Sequence, residues 1–140
     1  MSRFGAFIAF AGLLALAGCP TVDLGNTPEN LGVCNPAGGE MYFEDQIWPN
    51  YMNVAGTIAP NHKCTDAGCH DLGGSVMRMT VNPPDYQANY TIVQSELNCS
   101  DPEASKFLTW PLAGIDAHGG GDIFNVGDPQ YEVFEAWFAP

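Results

Sequence analysis

The feature that most restricts how this chain can fold is one short stretch, Asn61-His62-Lys63-Cys64-Thr65-Asp66-Ala67-Gly68-Cys69-His70. Two thiols and two imidazoles fall so close together there that the surrounding backbone has to be arranged around whatever they grip. The rest of the chain is poorly equipped to fold without such help. Once the N-terminal segment and a linker are set aside, about a hundred residues remain, enough for one small core but a thin one unless something reinforces it.

The N-terminal segment reads as an export signal. Arg3 supplies a positive start, Phe4 to Leu16 an apolar run of signal-peptide length, and small residues follow. Such a run is too short to span a bilayer stably. It closes as Leu16-Ala17-Gly18-Cys19, which resembles the bacterial lipobox, whose cysteine is lipidated and becomes the mature N-terminus. The alternative is ordinary cleavage after Gly18, leaving a free Cys19. Residues 1–18 are therefore expected to be a lipoprotein signal peptide. Residues 19–39, rich in Pro, Gly, Asn and Thr, are expected to be a tether, and 40–140 the domain. By the lipobox resemblance, Pro20 rather than an Asp after Cys19 implies outer-membrane sorting in a bacterial envelope, facing the periplasm or the cell surface. After cleavage, three Lys+Arg remain against 16 Asp+Glu. That balance excludes a nucleic-acid partner and disfavours phosphate-binding chemistry, because both need cations that are absent here.

Within the domain, Phe43, Ile47 and Tyr51 recur at helical spacing, with Pro49 expected to kink or restart the helix. Asp85 to Gln94 reads as a short helix with Tyr86, Tyr90 and Val93 inward. Asp101-Pro102 and Asp128-Pro129 both read as a capping residue followed by Pro at the first helical position. In the last helix Tyr131, Phe134 and Phe138 form the apolar face. No alternating run is long enough for a sheet, so the expectation is an all-α, mainly helical and loop-rich domain.

Cys64, Cys69 and His70 spell Cys-x-x-x-x-Cys-His, the longer-loop variant of the haem c attachment signature. Two thiols at that separation can add to the two vinyl groups on a porphyrin rim, and the next residue swings its imidazole under the ring to bind iron. A covalently attached haem also brings a large apolar face to a small core. Zinc held by Cys64 and Cys69, with His118 joining, also fits the ligand spacing, although His70 cannot easily reach the same tetrahedral ion. A Cys64–Cys69 disulfide is the other rival, permitted by the exported address. Only haem explains why a histidine stands immediately beside the second cysteine. Cys34 and Cys99 are expected to pair in a disulfide, since exported thiols rarely stay free and closing so long a loop stabilises the fold.

The order of Phe43-Glu44-Asp45-Gln46-Ile47-Trp48-Pro49, the cysteine motif, Asp101 to Leu108, His118-Gly119-Gly120-Gly121 and Tyr131 to Phe138 resembles small monohaem domains of cytochrome c type in bacterial envelope lipoproteins. The likeness covers nearly the whole domain, and only the cysteine motif is individually specific. The sequence departs from the pattern in the extended segment Asn53 to Asn61 and in the four-residue motif loop, which leaves the local haem geometry open. The resemblance implies a cytochrome c-like fold, with first and last helices crossing near the haem edge and Trp48, Phe134, Trp137 and Phe138 as core packing.

His70 fills one axial position of the iron. The candidates for the other are His118, His62, Met41, Met52, Met77 and Met79. In the family resembled, the distal ligand comes from the loop before the last helix, the place His118 occupies, and the glycines after it let the backbone approach a flat ring. Met77 and Met79 follow His70 too closely to reach the far face. The expected function is a lipid-anchored, single-haem electron carrier. Its partners would be redox proteins with basic patches, other cytochromes among them, and it has no legible catalytic group. A haem-based sensor or ligand-binding module, and a disulfide-braced structural lipoprotein without haem, are the alternatives.

Overall fold

A computed structural model describes residues 33–139 of the chain. The signal segment, Cys19 and most of the tether lie outside the described residues. Helices and turns make up what is described, in the order α1 (Gly39–Tyr42), a π-helix (Phe43–Met52), α2 (Tyr86–Gln94), a 3-10 turn (Pro102–Ala104), α3 (Lys106–Thr109) and α4 (Pro129–Phe138). The extended backbone pairings are two isolated bridges, Val81 with Pro84 and Leu112 with Phe124. Among the described residues no helix is long and apolar enough to cross a membrane.

The first helix corrects the expectation at Pro49. The chain does not stop or restart there; it runs through Pro49 as one wide helix, in which the N–H of Asn53 donates to the carbonyl of Trp48 at 2.8 Å. Bonding five residues back relaxes the crowding that Pro imposes on an α-helical turn. It also turns the chain less per residue, so the adjacent pairs Ile47-Trp48 and Tyr51-Met52 are both buried along with Phe43. A ten-residue segment thus covers more of the core than an α-helical stripe would.

α4 lies across this wide helix. Trp137 and Phe134 pack on it, with ring centres 5.9 Å from Phe43 and 6.2 Å from Tyr51 respectively. The buried face of α4 is Gln130, Phe134 and Trp137, while Tyr131 and Phe138 are only partly covered. Trp137 also closes the chain entry: its indole N–H donates to Gly39 O at 2.9 Å and its carbonyl accepts from Gly38 N–H at 3.0 Å. α2 adds Tyr90 and Val93 from the side, with Tyr86 half-buried edge-on against Trp48.

The cysteines Cys34 and Cys99 form the expected disulfide across a sequence separation of 65. It pins a segment read from sequence as tether. Cys34 and Pro36 are buried and the Tyr90 hydroxyl donates to Asn35 Oδ1, so the packed body begins before Glu40. The Asp-Pro pairs act differently from their reading as side-chain caps. Neither Asp101 nor Asp128 caps its helix with its carboxylate, whereas Asp85 does, accepting from Ala88 N–H at 3.0 Å.

Candidate functional site

The cysteine motif folds as a run of turns against the end of the wide helix. Asp66 accepts the Lys63 N–H on its carboxylate at 3.0 Å and the Cys69 N–H on its carbonyl at 3.0 Å, and the His70 N–H closes onto Cys64 O at 3.0 Å. Gly68 sits at φ +83°, a left-handed turn that favours glycine. Asp71 locks the far side, its Oδ1 accepting from Gly68 N–H at 2.9 Å and Gly73 N–H at 3.0 Å. The signal for Asp71 in the sequence is the Gly73-Gly74 pair that follows it two residues on, which marks a turn.

The two thiols stand in unlike places. Cys64 is buried, with its Sγ–H directed at Tyr51 O at 3.9 Å, and burial pushes its pKa up to about 12. Cys69 is partly exposed, and both remain free thiols, so the rival Cys64–Cys69 disulfide is not formed. A thioether sulfur carries no charge and suits that burial.

His70 is buried, and burial lowers its pKa. Its Nδ1 lies 3.2 Å from Val76 O. A carbonyl can only accept, so Nδ1 carries the proton and Nε2 keeps the free lone pair. Met77, at φ +46°, turns the chain sharply just after that carbonyl. His118 repeats the arrangement: its Nδ1–H donates to Gly121 O at 3.1 Å, which again leaves Nε2 free.

These two imidazoles, 48 positions apart in the sequence, meet in space. Their ring centres are 5.9 Å apart and their planes differ by 14°. The rings are stacked and near enough that their free nitrogens belong to one site. The pair lines a cleft of about 650 Å³, within the range of cofactor sites, whose walls also carry Cys64, Cys69 and Trp110. A pocket of about 20 Å³ adjoins it, floored by Tyr51, Met52 and Phe107. The walls are electrostatically selective. They include Lys63 and Lys106, two of the three cations between residues 33 and 139, and no Asp or Glu. In so acidic a chain, that segregation fits an occupant bearing negative charge.

No family model, curated protein or solved structure matches the chain.

Other expected ligands are placed less favourably. His62 is exposed at the cleft mouth, Met41 is 75% exposed on α1, and Met79 is wholly buried in the core. Met52 and Met77 line the smaller pocket. Among the described residues no three of His, Cys, Asp and Glu are grouped to hold a metal ion. The glycines after His118 have separate reasons. A Cβ on Gly120 would come within 3.2 Å of the His118 ring, and Gly121 takes φ +75°, while Gly119 has open space around it. Trp110 and Lys106 were not singled out as site residues by sequence. The Lys106 ammonium lies 5.6 Å from the centre of the Trp110 ring, and Trp110 lines both cavities. Their one sequence signal is a Lys and a Trp four residues apart on a short helix.

Proposed function

We propose that the protein is a single-haem c-type cytochrome that carries electrons between redox partners in a bacterial envelope, anchored through lipid on Cys19. The observation that supports this most is the pairing of His70 with His118 at 5.9 Å, beside Cys64 and Cys69 in one cleft. A haem would need two further donors from the protein, and His70 and His118 are the two imidazoles brought together beside the thiols. When bound, the haem would supply a one-electron ferric–ferrous couple.

The chain's own residues do the rest. Cys64 and Cys69 would hold the ring through thioethers. His70, its Nδ1–H held by Val76 O, and His118, its Nδ1–H held by Gly121 O, would supply their free Nε2 atoms to the iron. Tyr51, Phe107 and Trp110 would keep water off the ring and limit reorganisation as its charge changes. Lys63 and Lys106 would offset the carboxylates that haem carries. Two imidazoles favour a lower potential than a histidine–methionine pair, and an acidic surface lowers it further by stabilising ferric iron.

Intact mass under denaturing conditions tests the reading directly. Protein matured in a host with a working cytochrome c assembly system should carry the mass of one haem that denaturation does not remove. A colourless product with the mass of the bare polypeptide would overturn it. His118→Ala should then convert a low-spin visible spectrum to a high-spin one.

A further inference from the structure

The two imidazoles differ in how firmly the protein holds them, and this inference rests on the haem reading above. His70 is fixed from both sides of its own segment. Its N–H donates to Cys64 O at 3.0 Å, its carbonyl accepts from Met79 N–H at 2.9 Å, and its ring bonds Val76 O. His118 is held only by its own loop: ring and carbonyl both bond Gly121, at 3.1 and 2.9 Å.

That loop has a pinned base and a free tip. Leu112 bridges Phe124, Ala113 N–H donates to Phe124 O at 2.9 Å, and Ile123 N–H donates to Pro111 O at 2.9 Å. From Gly114 through Asp122 every residue except His118 is exposed. From Asp116 through Asp122, the backbone-to-backbone hydrogen bond among the described residues is the one between Gly121 and His118. Gly114 and Gly121 sit at φ +74° and +75°, so the tip is jointed at both ends by residues with wide backbone freedom. A segment with few contacts and glycine joints opens at low free energy while the core stays intact.

We propose that His118 is an exchangeable ligand, and that the side of the cleft it vacates binds a small uncharged diatomic molecule of the carbon monoxide class. The exchange breaks one dative iron–nitrogen bond and forms one iron–carbon bond. The oxidation state is unchanged and the released imidazole leaves neutral. Trp110, Ile123 and Ala117 line the cleft near His118 and favour an uncharged ligand over a hydrated ion. The protein then joins electron transfer to ligand binding, with the loop deciding between them.

Stopped-flow mixing of the full-length, dithionite-reduced haem protein with carbon monoxide tests this. The observed rate should rise with gas concentration and level off where His118 release becomes limiting. His118→Ala should bind without a plateau, about tenfold faster or more at the highest gas concentration, and added imidazole should restore the plateau. Gly114→Ala leaves His118 in place and adds a methyl that meets nothing within 4 Å. Straining the closed loop's left-handed backbone should raise the plateau about tenfold. A haem-bearing wild-type protein that stays inert to carbon monoxide, or binds it with no plateau, overturns this inference alone. A mass without the haem increment overturns the function beneath it.

Discussion

A methyl group on Gly74 would sit 1.9 Å from the carbonyl oxygen of Cys69. No side chain can occupy that space, and the carbonyl cannot yield without moving the peptide that leads into His70. Gly74→Ala should therefore cost roughly 3 kcal/mol of stability in urea unfolding, as other overpacked sites do. Tyr51 acts from beneath the cleft. Its buried hydroxyl donates to Phe107 O, while its own carbonyl receives the Cys64 thiol. Burial holds the phenol well above its usual pKa, so it stays neutral as a donor. Tyr51→Phe leaves the Phe107 carbonyl without that donor and should cost about 1–2 kcal/mol in urea unfolding. Asp128 carries the clearest pH dependence. The Asn125 N–H, at 2.7 Å, and the Thr57 hydroxyl hold its carboxyl below the usual value of 3.8. A depressed carboxylate stabilises the fold above its unfolded pKa, and the contribution disappears as pH falls through the folded value. Acid titrations of unfolding should lose part of their slope below about pH 4 in Asp128→Asn; an unchanged slope contradicts this account.

At the scale of elements, what could be read from the sequence depended on whether the governing contact was local. Asp85, read from sequence only as the start of a helix, is the carboxylate that caps one, a role that needs only the next turn, and Asp85→Ala should destabilise by about 1 kcal/mol in thermal unfolding. Asp128 looked the same and is not a cap. Its carboxylate is drawn instead to Asn125 and to Thr57, a residue 71 positions away that no local pattern identifies. Pro49 misled in the other direction, since α-helical reasoning has no place for a wide helix that absorbs it. In α4 the helical period was legible but its phase was not. Gln130 and Trp137 take the buried face, because Trp137 has to reach Gly38 and Gly39 and Gln130 donates to Ala55 O at 3.1 Å. The cysteine pair belongs to this scale too. Joining Cys34 to Cys99 closes a loop spanning 65 positions. The chain-entropy relation then assigns it about 4 kcal/mol, the expected loss in a double Ser variant measured by urea unfolding without reductant.

Across the whole molecule, the cysteine motif could be read because its chemistry is written in consecutive residues. The cleft could not be, because it is made where distant segments meet. Trp110, Lys106, His118 and Ile123 come from different turns and loops and converge on the motif in the folded chain. The same folding sorts charge, drawing Lys63 and Lys106 to the cleft and leaving the Asp and Glu residues elsewhere on an otherwise acidic body. Two ranges of electrostatics follow from this. Close to the cleft, the cations act on its occupant through short, poorly screened distances. Far from it, the 16 acids of the chain set the field that an approaching partner meets, and that field attracts a basic patch and repels an acidic one. Because the long-range part acts through solvent, salt should weaken it as the screening length shrinks from about 30 Å at 0.01 M to about 10 Å at 0.1 M. On the electron-carrier proposal, transfer to a basic small cytochrome, followed by stopped flow, should therefore slow progressively across that range, while the midpoint potential moves far less. Rates indifferent to ionic strength would mean that the partner meets a face whose charge the acidic body does not govern, and the basic-partner expectation would fall.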